Sequence, residues 1–194
     1  MEVLGKLFGS EVKVKIIRLF LFNPETLFDV GAIAEKVKED LSKVRRELAM
    51  LNRISFLKHR MKRMKGGSRH AFVLNPNFPY IVSLRNLLTS GKPLQPAEIV
   101  KKTSPLGSVK LVLVAGVFIQ NPDSRVDILI VGDNVKKTSL IKVIAKLEAE
   151  IGKELKYAYF STSDFMYRLN MYDKLVRDIL DYPHEKLVNK LALV

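Results

Sequence analysis

The chain of 194 residues carries 33 Lys and Arg against 20 Asp and Glu, a formal net charge of +13, and is 47 % hydrophobic and 27 % charged. That balance excludes collagen-like, mucin-like and wholly disordered chains, and the length predicts two small domains, each able to bury a core. The absence of cysteine excludes disulfide staples, thiolate nucleophiles and Cys-rich zinc modules, and fits a reducing compartment.

The apolar spacing of Val12, Ile16, Leu19 and Phe20 predicts a first helix over residues 11–22, with Ser10 as N-cap and Asn23-Pro24 as its stop. Val30, Ile33, Ala34 and Val37 predict a second helix over 30–38. A third is expected over 42–52, burying Val44, Leu48 and Leu51 and turning Lys43, Arg45, Arg46 and Glu47 outward. Two extended runs follow, 56–65 and 69–74, joined through Gly66-Gly67-Ser68, where glycine supplies the positive φ of a tight hairpin. Met61, Met64 and Phe72 are expected on its packed side.

Three helices and a basic hairpin, in that order, predict a winged helix-turn-helix, whose third helix enters the major groove while the hairpin follows the backbone. Ala34-Glu35-Lys36-Val37, Ser42-Lys43-Val44-Arg45-Arg46-Glu47-Leu48 and Arg69-His70-Ala71-Phe72-Val73-Leu74-Asn75-Pro76 resemble the arsenic-repressor-like regulators over about residues 10–90. The charge is concentrated there. Residues 1–93 hold 18 bases and 8 acids against 15 and 12 in the remainder, and residues 41–70 hold ten bases and one acid, Glu47. So one-sided a field points to a polyanion. Lys43, Arg45 and Arg46 are the candidate base readers, since Arg bonds guanine bidentately. Arg60, Lys62, Arg63, Lys65 and Arg69 are the candidate phosphate contacts. Ser42 is expected to cap the third helix or to donate to a phosphate.

A further helix over 81–88 is apolar on more than one face through Ile81, Val82, Leu84, Leu87 and Leu88, which calls for a second covering element. The flanking helices of the resembled family form two-fold dimers, so a homodimer is expected. Residues 91–108, rich in Gly, Pro and Ser, read as a linker with one short helix near 97–101. Beyond it a strand is expected over 109–118, a turn through 120–124, a strand over 126–131, a helix over 137–151, a strand over 155–161, and helices near 164–170 and 174–180.

Ala115-Gly116-Val117-Phe118 and Ser124-Arg125-Val126-Asp127-Ile128-Leu129-Ile130-Val131 resemble the minimal nucleotidyltransferase domain of the DNA polymerase beta superfamily, over about residues 109–194. The resemblance breaks where its chemistry lies. Gly-Ser is replaced by Gly116-Val117, and Asp-x-Asp by Arg125-Val126-Asp127. The third strand, Lys156-Tyr157-Ala158-Tyr159-Phe160-Ser161, has no carboxylate. Two-metal catalysis needs several carboxylates around ions about 3.5–4 Å apart, so the domain is expected to be inactive, with Asp127 bonding Arg125 or a loop amide.

The expected class is thus a two-domain mixture of α and β: a winged helix-turn-helix over 1–90, a linker over 91–108 and a nucleotidyltransferase-like mixed sheet with flanking helices over 109–194. The expected function is a dimeric regulator binding double-stranded DNA, its second domain serving oligomerisation, partner contact or sensing. The alternatives are an active nucleotidyltransferase with the winged helix as adaptor, and an antitoxin-like interaction protein. His59, His70 and His184 lack ligand spacing, so neither a metal nor another cofactor is expected. The longest apolar run, Leu111 to Ile119, is nine residues, where a membrane helix needs roughly 20. The first ten residues lack a long apolar stretch. No membrane segment or signal peptide is expected, and the cytoplasm is the expected compartment.

Overall fold

In the computed structural model, which describes residues 2–64, 67–89, 94–121 and 123–193, the chain divides into two units, Met1–Gly91 with Ala145–Lys153 and Lys92–Ile144 with Glu154–Val194. Each contains helices and a sheet of its own.

The first unit runs α1 (Glu2–Phe8), α2 (Glu11–Phe22), β1 (Phe28–Asp29), α3 (Val30–Val37), α4 (Leu41–Arg53), β2 (Leu57–Met64), β3 (Gly67–Leu74) and α5 (Ile81–Thr89). Local chemistry sets the helix ends. Ser10 accepts from the Lys13 amide at 3.2 Å and starts α2, while the Asn23 side chain donates to the Leu19 carbonyl at 2.7 Å and ends it. Asp29 caps α3 by accepting from the Ala32 amide at 2.8 Å, and Lys38 closes that helix in the left-handed region at φ 54°. Ile16, Phe20, Ile33, Val44, Leu48 and Phe56 meet in one core that Leu57 and Leu74 join from the sheet. Burying each such side chain contributes roughly 1.5–3 kcal/mol. Phe20 meets Phe28 edge to face at 5.7 Å.

Sheet order is β1-β3-β2, all antiparallel, with register from Leu57↔Leu74 to Met64↔Gly67. The second strand therefore starts two residues earlier than the 69–74 expected, because cross-strand pairing reaches Gly67. Met61 is 56 % exposed rather than packed, while Phe72 does contact the core. Neither α1 nor the two-residue β1 was expected. Arg18, on α2, is the buried cation of this unit: it is 3 % exposed and its Nε donates to the Leu88 carbonyl at 3.0 Å.

The second unit opens with α6 (Pro96–Thr103) and a 3-10 turn over Ser104–Leu106, then β4 (Ser108–Val114), β5 (Ile128–Asp133), α7 (Lys137–Ile151, of which the part from Ala145 belongs to the first unit), β6 (Tyr157–Phe160), α8 (Thr162–Asn170), α9 (Lys174–Asp181) and β7 (Glu185–Asn189). The stretch from residue 94, read as linker, is instead built into this unit, for Leu94, Ile99 and Leu106 are buried. The sheet has the order β6-β5-β4-β7, with β4 antiparallel to both neighbours and β5 parallel to β6. A parallel pair requires a long crossover, which α7 supplies. Leu111, Leu113, Leu129 and Val131 face Phe165, Val176 and Ile179. Val112, Val114, Ile128 and Ile130, on alternate positions, are buried as well. Strands covered on both faces read as continuous apolar runs.

In this unit β4 and β6 are shorter than expected and β5 is shifted two residues onward. Strand β4 ends at Val114, and Gly116–Phe118 forms a 3-10 turn. Strand β5 begins at Ile128 rather than Val126, because Asp127 is engaged elsewhere.

Candidate nucleic-acid interface

Helix α4 carries the first group of candidate residues. Asp40, not Ser42, occupies its N-cap position, and Asp40 makes no capping side-chain bond. Ser42 lies inside the helix, exposed, so the expected capping role is corrected. Glu47 is corrected as well. It is 5 % exposed, and its carboxylate lies 3.6 Å from the Lys13 ammonium and 3.5 Å from Arg46. The one acid counted against ten bases in residues 41–70 is thus turned inward and matched by a lysine from α2.

The outward cations differ in what holds them. Lys43 lies 3.9 Å from Glu39 and 3.8 Å from Asp40. Arg46 reaches Glu47 and stays 74 % exposed at its side chain. Arg45 is exposed and has no acid partner among the described residues.

On the hairpin, Arg60, Arg63 and Arg69 are exposed. Arg60 donates to the His59 carbonyl at 3.1 Å; Arg63 and Arg69 have no partner among the described residues. The register sets Lys62 opposite Arg69 and Arg63 opposite Ser68. Like charges directly opposite destabilise a hairpin in the absence of an anion. Lys65 lies outside the described residues, as does the side chain of Lys62. Between these cations His59 stacks on His70 with ring centroids 4.7 Å apart and meets Phe72 at 5.5 Å. Sequence reasoning had no role for this stack, although cross-strand register would have revealed it.

The second unit holds the other candidates: Gly116, Val117, Arg125 and Asp127. Asp127 is 5 % exposed. One carboxylate oxygen accepts from the Val117 amide and the other from the Lys156 amide, both at 2.8 Å. Gly116 sits at φ 53°, and a Cβ there would collide with that carboxylate. Of the two bonding options expected for Asp127, the loop amide is the one present. Arg125 instead bonds Asp178 on α9, Nε to Oδ2 at 3.0 Å, and keeps a side-chain exposure of 60 %. A magnesium site does not fit these residues. Both oxygens of Asp127 already accept from backbone amides, Arg125 is a cation, and no three His, Asp or Glu converge among the described residues.

Asp133, at the end of β5, is anchored by Thr162 at the start of α8. Its oxygens accept from the Thr162 amide at 3.0 Å and the Thr162 hydroxyl at 2.7 Å. These bonds, the amide first, hold its carboxyl below the usual carboxylate range, with a smaller pull from Lys110 and partial opposition from burial. No described helix is long and apolar enough to cross a membrane. No protein-family model, curated protein or solved structure matches the chain significantly.

Proposed function

We propose that the first unit is a winged helix-turn-helix that binds double-stranded DNA, that the protein is a dimeric cytoplasmic regulator, and that the second unit is a nucleotidyltransferase-like domain without catalysis. The observation that carries the reading is a set of exposed guanidinium groups, Arg45 on α4 and Arg63 and Arg69 on the hairpin, with no acid partner among the described residues. Unpaired cations on one helix and its adjoining hairpin are what phosphates neutralise. In this reading Arg45 reads a base edge while Arg46 and Lys43 exchange their intramolecular acids for the nucleic acid. The hairpin arginines position the duplex.

Dimerisation is supported by apolar side chains left uncovered on α5, where Val82 is 70 % and Leu87 52 % exposed. Absence of nucleotidyl transfer is supported by the engagement of both Asp127 oxygens with backbone amides. A role in partner contact for the second unit is supported by Tyr167, Met171 and Tyr172, which are exposed on and after α8.

The test is a salt titration of the full chain against labelled duplex. Affinity falling with a log–log slope of about −0.9 for each phosphate contacted supports the reading. A flat response, or no binding at low salt, overturns it. Transfer of nucleotide from labelled ATP with Mg²⁺ or Mn²⁺ overturns the inactive assignment.

A further inference from the structure

We propose that a cleft at the base of the hairpin binds a small amphipathic anion, a doubly charged head such as a phosphate monoester on an aromatic or aliphatic body. The cleft is lined by Pro24 and Glu25 after α2, by Lys58 and Arg60 of β2, by Val73, Leu74 and Pro76, and by Ile81 and Arg85 of α5. It encloses about 490 Å³, inside the roughly 300–1,000 Å³ range of small-molecule sites.

Backbone geometry brings these groups together. Lys58 and Arg60 are two apart on β2 and share a face, and Arg85 lies one helical turn after Ile81 on α5. The cations are available. The side chains of Lys58 and Arg85 have no hydrogen bond or acid partner among the described residues, and the Arg60 side chain donates only to the carbonyl of its neighbour His59. Glu25, exposed and equally unpaired, is the sole carboxylate in the lining. Three cations against one carboxylate leave a surplus matched by a head of about two negative charges, the charge of a phosphate monoester near neutral pH. The apolar wall of Val73, Leu74, Pro76 and Ile81 gives the body of such a ligand a surface that inorganic phosphate cannot use.

The site shares Arg60 with the nucleic-acid reading but is otherwise distinct from it, since Arg85, Glu25 and the apolar wall take no part in that interface. It is tested by NMR titration of the full chain with phenyl phosphate, and with inorganic phosphate and benzyl alcohol as head-only and body-only probes. The expected result is saturable shifts at Val73, Leu74 and Ile81 with phenyl phosphate at lower concentration than either fragment. Arg85→Gln weakens this binding about tenfold, the loss of one charge-assisted hydrogen bond. Glu25→Gln tightens it. Both side chains are exposed, so the fold survives either change. No shift with phenyl phosphate, or inorganic phosphate binding as tightly, overturns the proposal. So does a titration in which only duplex DNA perturbs Arg85, which would assign the cleft to the DNA backbone.

Discussion

The two units handle charge in opposite ways. In the second, the cations and carboxylates at the sheet ends are matched internally: Arg125 with Asp178, Arg168 with Asp164 and Asp173, Asp127 with two amides and Asp133 with Thr162. In the first, the acid on α4 is buried against a lysine, while Arg45, Arg63 and Arg69 remain outside with no partner among the described residues. Net charge alone conceals this contrast. A matched charge builds the fold, whereas an unmatched exposed one is free to meet something from outside.

The most forceful way to sharpen the comparison is Asp127→Ala. It removes the acceptor of the part-buried Val117 and Lys156 amides, and the expected loss is about 3 kcal/mol of unfolding free energy, read by urea denaturation. Stability within measurement error would show that the carboxylate is held for another purpose. Next comes Arg18→Met, which nearly keeps the volume but removes the bonds to the Leu88 and Glu150 carbonyls; a cost of about 2 kcal/mol is expected from the orphaned acceptors.

Of comparable size in a binding assay, Arg45→Ala should cost about 1–3 kcal/mol of specific DNA affinity. Arg125→Ala, on the matched side, should leave that affinity unchanged. Equal losses from both would break the comparison. Smaller again is the effect of Arg69→Gln, expected to reduce the salt slope by about 0.9 and to weaken all duplexes alike.

The mildest prediction concerns acid. Asp133 has a depressed carboxyl in the folded chain, so its contribution is full above the unfolded carboxylate range near about pH 4 and is lost as pH falls through the folded value. Asp133→Asn should therefore flatten the acid limb of the stability profile without altering the neutral plateau beyond the loss of its bonds to Thr162.

Periodicity made α2 and α7 legible to the residue, because each carries a long apolar stripe, joined in α2 by the Ser10 cap. Shorter elements were less visible. Helix α1 contains a glycine and only seven residues, and β7, Glu185–Asn189, has no clean alternation; its pairing with β4 is a long-range fact. Apolar Gly116-Val117-Phe118 looks like a continuing strand, yet the Asp127 carboxylate bends it into a turn. Glu47 teaches something different. It lies three residues after Val44 and four before Leu51, on the buried stripe, so the helical spacing already placed it inside and only its charge suggested otherwise. The cleft at the hairpin base was invisible because Glu25, Lys58 and Arg85 are far apart in the chain.

Strand β2 is the longer of the two edge strands of its sheet, and an edge carries unpaired backbone groups that recruit strands from other molecules. Lys58, Arg60 and Arg63 stand along that edge. Mutual repulsion between copies thus guards against sheet-to-sheet association before any ligand arrives. Removing several of these charges at once would strip the guard, and the resulting insolubility would mimic a binding defect. Single substitutions, or exchange for other polar residues, keep the two effects separate.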